Sequence, residues 1–306
     1  VRGTPDDVQG SLGVIRADSG NVYFADPIFG LDPQVGTREA PSVIGSQWSR
    51  QLFWDGRAGP AFVDPQTGAT AIAQGGALEA QSVAPPLNDV EMAHEDRDWA
   101  EITSKLADAK PLALARNLPA DVSTALASHP TYASLFTQAF GDAAITSQRI
   151  AFAIATYERT LVPNQTPFDA FAAGDRNALT PQQQAGFNAF QATTCDTCHR
   201  PGIFSDDSFR NIGLRPAGED LGRQAVTGNP ADRGRFKVPT LRNVGLKTEF
   251  MHNGQLRSLE QVLDFYLRAN GQVQFPDNQD PLVQQIQIPP NQVPAVVDFL
   301  RNGLTD

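Results

Sequence analysis

Apolar side chains recur every three or four residues along much of the chain after its first third, which is the spacing of amphipathic helices. Helices are predicted near residues 121–128 and 130–140. Three further helices are predicted to begin after Asp98, Thr146 and Thr180, because these side chains can accept hydrogen bonds from the first free amides of a helix. Helices therefore dominate the predicted structure.

Two predicted helices carry a clear apolar stripe. The stripe that follows Thr146 consists of Ile150, Ile154, Tyr157 and Leu161. Nearer the C-terminus, Ser258 and Gln261 form a predicted capping box for a helix that runs to residue 269. The stripe of that helix consists of Leu259, Val262, Leu263 and Tyr266. Stripes of this kind normally face the core, so we expect Tyr266 on the buried side. A last helix is predicted over 294–302 and ends at Gly303.

The first 95 residues show little helical periodicity and are rich in Gly, Pro, Asp and Gln, which predicts loops with short helical or extended pieces. Strand signals are scarce. We therefore predict a mainly α fold with long irregular loops and little β structure. The segment PNQTPFDAFAAGD (163–175) separates two mainly helical halves, so the predicted domains are residues 1–165 and 166–306.

Composition narrows the class of protein. The chain has 306 residues, of which 41% are hydrophobic and 19% charged, typical of a folded protein with room for two domains. The formal net charge of −10 argues against nucleic acid as a partner. No apolar run approaches the roughly 18 residues that span a bilayer. The chain opens on Val1 without a signal peptide, so we expect a processed or trimmed product.

The candidate chemistry lies in the segment TTCDTCHRPG (193–202), which contains both cysteines of the chain. A disulfide between Cys195 and Cys198 would close a very small loop and would constrain little of the unfolded chain. A structural zinc ion needs four ligands, and only His199 lies nearby. C-x-x-C-H is the attachment signature of c-type haem, in which both sulfurs bond to the porphyrin and the histidine ligates the iron. We therefore predict haem c at this motif.

The ligand on the other side of the iron stays open at this point. The segment EFMHNG offers Met251 and His252, and Tyr266 lies on the predicted stripe. Methionine is usual in electron-carrying cytochromes and raises the reduction potential. A tyrosine in this position would lower the potential instead. Each of these residues could also have a purely structural role, and their spacing does not choose between them.

These residues resemble a known family. RFKVPTLRNVGLKTEFMHNGQLRSLEQVLDFY (235–266), after CDTCH, is similar to the C-terminal haem domain of bacterial di-haem cytochrome c peroxidases and MauG-type enzymes. Four upstream segments are similar to the N-terminal half of that family: REAPSVIG (38–45), LFWDGRAG (52–59), ALEAQSVAPPLNDVEMA (77–93) and AFAIATYERTL (151–161). The resemblance covers nearly the whole chain in order, and it implies two cytochrome c-like haem domains.

The resemblance implies roles for residues of the C-terminal half. His199 would be the proximal ligand of the C-terminal haem. Tyr266 stands where the classical peroxidases have a methionine and MauG-type members a tyrosine, which favours Tyr266 over Met251 as the second ligand. Trp54 matches a tryptophan between the two haems and would relay electrons.

Further roles follow for the N-terminal half. Gln81, Pro85 and Glu91 match the pocket over the peroxide-reacting haem. There a carboxylate can carry a proton between the two peroxide oxygens, which is general acid–base catalysis.

The family also binds calcium between its domains. In this sequence Glu39 stands where the family has an asparagine. Lys237 and Pro239 would offer backbone carbonyls, and oxygen ligands of these kinds suit calcium.

One departure from the family pattern affects the cofactor count. Family members have a second C-x-x-C-H upstream, and this sequence has none, nor any histidine before His94. Because the Trp54 and Glu91 motifs are intact, we expect that the chain begins after a first haem-binding segment. A true mono-haem relative is the alternative.

The resulting functional hypothesis is a periplasmic c-type haem peroxidase or MauG-type oxidase. It would reduce hydrogen peroxide with electrons passed through the C-terminal haem. The electron donor would be a small cytochrome c or cupredoxin, or a protein substrate would be oxidised, and the chain could form a homodimer. Export follows from haem attachment, which takes place outside the bacterial cytoplasm. The alternative is a mono-haem electron carrier without enzymatic activity.

Replacement of Cys195 and Cys198 by alanine should abolish covalent haem, because no other side chain of the sequence can form thioethers. Haem staining on a denaturing gel measures this directly. Staining retained in the double variant would contradict the assignment.

Overall fold

The structure is a computed structural model, and it describes residues 9–269 and 275–306. The helices are α1 (Ala77–Ser82), α2 (Trp99–Asp108), α3 (Ala120–Ser128), α4 (Tyr132–Phe140), α5 (Ser147–Glu158), α6 (Pro167–Ala172), α7 (Pro181–Gln191), α8 (Cys195–Cys198), α9 (Gln224–Thr227), α10 (Leu259–Ala269) and α11 (Val293–Asp298). The strands form two short antiparallel pairs, β1 (Phe62–Val63) with β2 (Thr70–Ile72) and β3 (Phe209–Arg210) with β4 (Phe236–Lys237). The predicted mainly α class with little β structure is confirmed.

The chain packs into two compact units. Unit 1 contains Gly36–Gly59 and Glu158–Asp306 together with the described residues 9–11, and unit 2 contains Leu12–Val35 and Pro60–Tyr157. The predicted haem domains, divided after residue 165, stay a prediction. Among the helices of the two described stretches, none combines the length and the apolar character that crossing a bilayer would need.

The core of unit 1 is built around aromatic rings. The ring centroid of Phe168 on α6 lies 5.1 Å from that of Phe187 on α7 and 4.9 Å from that of Phe204. Helix α11 crosses α7 so closely that a Cβ atom at Gly186 would lie 2.0 Å from the carbonyl oxygen of Ala295, which restricts this position to glycine. Close packing of α7 fixes the helix that leads into the two cysteines.

The predicted helix starts are confirmed at three places. The side chain of Asp98 accepts a hydrogen bond from the amide of Glu101 at the start of α2. Thr180 and Gln183 form a reciprocal capping box at the start of α7. The Oγ1 atom of Thr146 accepts from the amide nitrogen of Arg149, 3.2 Å away, in the first turn of α5. These caps act over one helical turn, which is why the sequence predicts them well.

The capping box predicted for α10 is only half correct. The amide of Gln261 donates to Ser258 Oγ over 3.2 Å, as expected. The Oε1 atom of Gln261, however, accepts from the amide of Arg257 at 2.6 Å rather than from Ser258 itself. The bond from the Gln261 side chain back to the backbone is thus made one residue before the N-cap Ser258. Tyr266 is half-buried on this helix rather than fully buried.

The apolar stripe predicted for α5 is not its buried face. Ile154 and Tyr157 are exposed, whereas Ala151 and Ala155 are completely buried. The Phe152 ring packs edge-on against Phe62 of β1, with a centroid distance of 6.1 Å. Small side chains allow α5 to approach its neighbours closely, so the buried face is narrower and less hydrophobic than the exposed stripe.

A buried carboxylate fixes the β1–β2 hairpin to the start of α5. Asp64 accepts hydrogen bonds from Ser147 Oγ and, at 2.7 Å, from Thr67 Oγ1. The Gln66 side chain in turn accepts from the amide of Ser147 at 2.7 Å. These bonds and the carboxylate's backbone contacts hold the pKa of Asp64 below its usual value despite its burial.

His94 is held between two acceptors in unit 2. Its Nδ1 atom lies 2.7 Å from the carbonyl oxygen of Glu95, and its Nε2 atom lies 2.7 Å from Glu101 Oε1. Neither partner can donate, so both bonds form only with the imidazolium, in which both ring nitrogens donate. The hydrogen bond to Glu101 is the largest cause of a raised pKa of His94, and Arg97 opposes it.

Unit 2 should therefore lose stability as the pH rises. A raised pKa in the folded state means that the stabilisation is fully present below the unfolded value of about 6.5 and is lost as the pH passes the folded value. We expect the thermal unfolding midpoint to fall between pH 6 and 9, and to fall less in a His94→Gln variant. An equal slope in wild type and His94→Gln would contradict the imidazolium assignment.

Candidate haem-binding site

The two cysteines lie on a single helical turn that follows α7. The amide of Cys195 donates to Thr193 Oγ1 at 3.2 Å, and Thr194 Oγ1 donates to the carbonyl oxygen of Leu282 at 3.1 Å. Both thiols are free and half-buried, and the Cys195 side chain packs against the apolar core of unit 1. Burial raises the pKa of both thiols.

The donor set fits a covalently attached haem better than the alternatives. The sulfurs of Cys195 and Cys198 are not bonded to each other, so both can form thioethers. Within residues 9–269 and 275–306, no three His, Cys, Asp or Glu side chains are grouped so that they could hold a metal ion. A zinc site with four protein ligands therefore has no support in the described residues.

His199 is prepared to ligate iron through one nitrogen. Its Nδ1 atom lies 3.0 Å from the carbonyl oxygen of Phe204, which can only accept, so Nδ1 carries the proton. The backbone of Pro239 makes a weaker interaction with the same ring, and burial lowers the pKa of His199. The imidazole is thus neutral. With the proton on Nδ1, the lone pair of Nε2 is the one available to a metal.

Tyr266 interacts electrostatically with the same two cysteines. Burial raises the pKa of its phenol, and the charges that the Cys195 and Cys198 thiolates would carry raise it further. The phenol therefore lies within electrostatic reach of both sulfurs. Tyr266 remains the favoured second iron ligand, and this role stays a prediction.

Met251 occupies a strained position. It has a φ angle of 70° in the tight turn between the bridged residues Phe250 and Leu256, and it is half-buried. Left-handed backbone is uncommon for a residue other than glycine and indicates that the turn is over-determined by its surroundings. Its role as an alternative iron ligand stays a prediction.

Trp54 is part of an aromatic group in unit 1. Its indole Nε1 donates to the carbonyl oxygen of Glu39 at 2.7 Å. Its ring meets His252 edge-on at 6.4 Å, and His252 stacks on Phe236 at 3.6 Å with the planes 9° apart. Burial lowers the pKa of His252 to about 4, so this imidazole is neutral. The indole of Trp54 is thus held in one orientation by a hydrogen bond and a ring contact.

The predicted calcium ligands have other partners in the structure. The Glu39 carboxylate accepts from Ser11 Oγ at 3.0 Å and lies 3.6 Å from the Nζ atom of Lys247. Lys237 donates its backbone amide to the carbonyl oxygen of Trp54 at 2.7 Å. A cation at this place would have to compete with Lys247 for the carboxylate. The calcium site on Glu39, Lys237 and Pro239 stays a prediction.

The predicted peroxide-pocket residues lie on one continuous segment of unit 2. Gln81 is in α1, and Pro85 opens a 3₁₀ turn that ends at Leu87. The side chain of Asn88 then accepts from the amide of Glu91 at 3.1 Å. The Glu91 carboxylate is half-buried and, among the described residues, has no hydrogen-bond or ion-pair partner. Its role in a peroxide pocket stays a prediction.

Residues that support His199 were not identified from the sequence. Arg242 and Thr240 bond to the loop that contains Phe204. Both belong to VPTLRN (238–243). The only sign of a supporting role in the sequence was an arginine beside apolar residues. Their partners lie far away in the chain, so spacing could not reveal them.

Comparison with known proteins places the chain in a family. Residues 19–177 match the model of the di-haem cytochrome c peroxidase family. The chain is 34% identical over 235 residues to the methylamine utilization protein MauG of Methylophilus methylotrophus, which covers 75% of this chain and 57% of that protein. It is 32% identical over 258 residues to the cytochrome c peroxidase Ccp of Escherichia coli K12, covering 82% of this chain and 47% of that protein.

Solved structures show the same fold. A MauG-like protein associated with microbial copper homeostasis has a TM-score of 0.63 at 23% identity, covering 95% of this chain and 79% of that one. The di-haem peroxidase BthA of Burkholderia thailandensis has a TM-score of 0.61 at 21% identity, covering 92% and 74%. The chain belongs to the di-haem cytochrome c peroxidase and MauG family, which confirms the resemblance. It spans about half the length of the curated relatives it matches.

Tyr266→Phe should change the absorption spectrum and the reduction potential of the haem at Cys195 and Cys198, because it removes the oxygen ligand but keeps the ring. Met251→Leu should change neither. The measurement is a redox titration followed by absorbance. The reverse outcome would assign the ligand to Met251.

Proposed function

We propose that this chain forms a periplasmic c-type haem peroxidase or MauG-like oxidase that reduces hydrogen peroxide. Family membership supports the class of enzyme. The observation that carries the proposal is the arrangement around the C-x-x-C-H motif: two free thiols, an imidazole with its proton on Nδ1, and a phenol within electrostatic reach of the sulfurs. These are the groups that a covalently attached, ligated haem requires.

Each of these residues has a specific part in the proposal. Cys195 and Cys198 would hold the haem by thioethers, His199 Nε2 would ligate its iron, and Tyr266 would occupy the opposite side. When bound, haem supplies one-electron redox chemistry, whereas the protein sets the ligands, the proton supply and the access. An anionic oxygen ligand favours the oxidised forms of the metal, which suits an oxidase.

Proton handling is assigned to Glu91. Reduction of hydrogen peroxide to two waters consumes two electrons and two protons, and cleavage of the O–O bond is easier when a proton moves from one oxygen to the other. A carboxylate that lies near the peroxide can accept the first proton and return it. The absence of a described partner for the Glu91 carboxylate supports this role, because an ion pair would hold the group away from substrate.

Gln81 and Pro85 would line the same pocket. A second haem beside these residues belongs to the proposal and is tested by counting haem per chain.

Electron supply is assigned to a partner protein. The donor would be a small cytochrome c or cupredoxin, or electrons would come from a protein substrate, and Trp54 would relay them. The fixed orientation of Trp54 supports a relay role, because electron transfer depends on constant distances. The net charge of −10 favours a basic donor. Calcium and a homodimer are further parts of the proposal.

Glu91→Gln should slow peroxide reduction by about 10²- to 10⁴-fold, the usual contribution of general acid–base catalysis. The spectrum of the His199 haem should not change. Asp89→Asn removes the same charge from an exposed neighbour and should retain turnover. Turnover is measured by stopped-flow with reduced cytochrome c, after a pyridine haemochrome count of haem per chain. Unchanged turnover in Glu91→Gln would remove Glu91 from the mechanism, and a single low-spin haem without peroxide reaction would favour an electron carrier.

A further inference from the structure

The loop of residues 202–205, which follows the C-x-x-C-H motif, has an unusual backbone. Phe204 has a φ angle of 51°, in the left-handed region that residues with a Cβ rarely adopt. This conformation accompanies the hydrogen bond between the Phe204 carbonyl oxygen and His199 Nδ1. Strained backbone of this kind persists only where the surroundings over-determine it. The contacts that hold this loop therefore also hold the Phe204 carbonyl in place.

The first support is the aromatic core. The side chain of Phe204 is completely buried. Its ring centroid lies 4.9 Å from that of Phe168, 6.1 Å from that of Phe299 and 6.3 Å from that of Phe190, all in edge-on or tilted contacts. Burial on every side leaves the residue no room to relax to a more usual backbone conformation.

The second support consists of side-chain bonds to the loop's own carbonyls. Arg242 Nε donates to the carbonyl oxygen of Gly202 at 2.6 Å. Thr240 Oγ1 donates to the carbonyl oxygen of Ile203 at 2.5 Å. The two carbonyls just before Phe204 are thus both fixed from one segment, which leaves the peptide unit of Phe204 little freedom of rotation.

Arg242 is itself immobilised. Its side chain is 6% exposed, and its guanidinium makes a fork with the Asp169 carboxylate at 2.7 and 2.8 Å. It also donates to the carbonyl oxygen of Pro163 at 2.6 Å. A planar guanidinium that makes four hydrogen bonds to fixed acceptors holds each acceptor at a defined place. A lysine would keep the charge but would lose this geometry.

We propose that Arg242 and Thr240 are positioning residues that hold the Phe204 carbonyl against His199 and so set the reduction potential of the haem that His199 would ligate. This inference rests on the proposed function, because it assumes haem at Cys195 and Cys198. Residues that would not ligate the iron would thus help to set the reduction potential of the haem.

The direction of the effect follows from the hydrogen bond. An Nδ1–H group that donates to a firmly held carbonyl makes the imidazole a better electron donor through Nε2, which stabilises ferric over ferrous iron. Loosening of the loop weakens this bond. The haem then becomes easier to reduce, and its potential rises.

The test is a redox titration of the purified holoprotein and its variants. Thr240→Val removes the bond to Ile203 and keeps the side-chain shape, whereas Thr240→Ser retains the hydroxyl. We expect Thr240→Val to raise the potential by about the equivalent of a tenfold change in the ferric/ferrous equilibrium, which is about 59 mV for one electron. Thr240→Ser should titrate like wild type. Arg242→Lys should shift the potential in the same direction as Thr240→Val.

A second measurement separates positioning from general loss of stability. Exchange of the His199 Nδ1 proton with solvent deuterium, followed by NMR, should be faster in Thr240→Val than in wild type. Val297→Ala thins the same apolar core without a bond to the loop, and it should leave both readouts unchanged. If Thr240→Val carries haem and has the wild-type potential, or if Thr240→Ser shifts as far as Thr240→Val, the inference is wrong.

These outcomes are distinct from a failure of the proposed function. If wild type carries no covalent haem, the function proposed for the motif fails. If wild type carries haem and reduces peroxide but the variants do not differ in potential, only the positioning role fails.

Discussion

The hydrogen bond from His199 Nδ1 to the Phe204 carbonyl is the interaction on which the site depends. It fixes the tautomer of the imidazole and thereby decides which nitrogen would be available to iron. It also links the cysteine-bearing turn to the aromatic core, because Phe204 is at the centre of that core. The chemistry of the motif and the packing of unit 1 are therefore coupled through one backbone carbonyl.

Partly buried ion pairs connect distant segments of unit 1 in a similar way. The Arg38 guanidinium donates to Asp55 at 2.6 Å and to Asp220 at 2.7 and 2.8 Å. It holds the pKa of both carboxyl groups below the usual value, and their burial opposes this. Breaking such a pair leaves an uncompensated charge at a cost of about 3–5 kcal/mol, more than the pair itself contributes over apolar residues. These pairs link residues 38 and 55 to residue 220, far away in the chain.

The sequence predicted what depends on near neighbours. The caps at Asp98, Thr146 and Thr180 involve residues within one turn, and their helices begin as expected. The buried face predicted for α5 was wrong. The close approach of α5 to its neighbours favours alanine over larger apolar residues, and hydrophobic spacing alone cannot show this. The bonds of Arg242 could not be predicted, since Gly202 and Asp169 are 40 and 73 residues away.

Half-burial of the two cysteines has a consequence for biogenesis. Reaction of a thiol, with an oxidant or with a vinyl group, proceeds through its thiolate, and burial makes thiolate scarce at Cys195 and Cys198. The folded apoprotein would thus be slow to form a disulfide, and equally slow to accept its prosthetic group. If haem is attached at this motif as proposed, attachment would therefore be favoured before α7 packs against α11 and buries the two thiols.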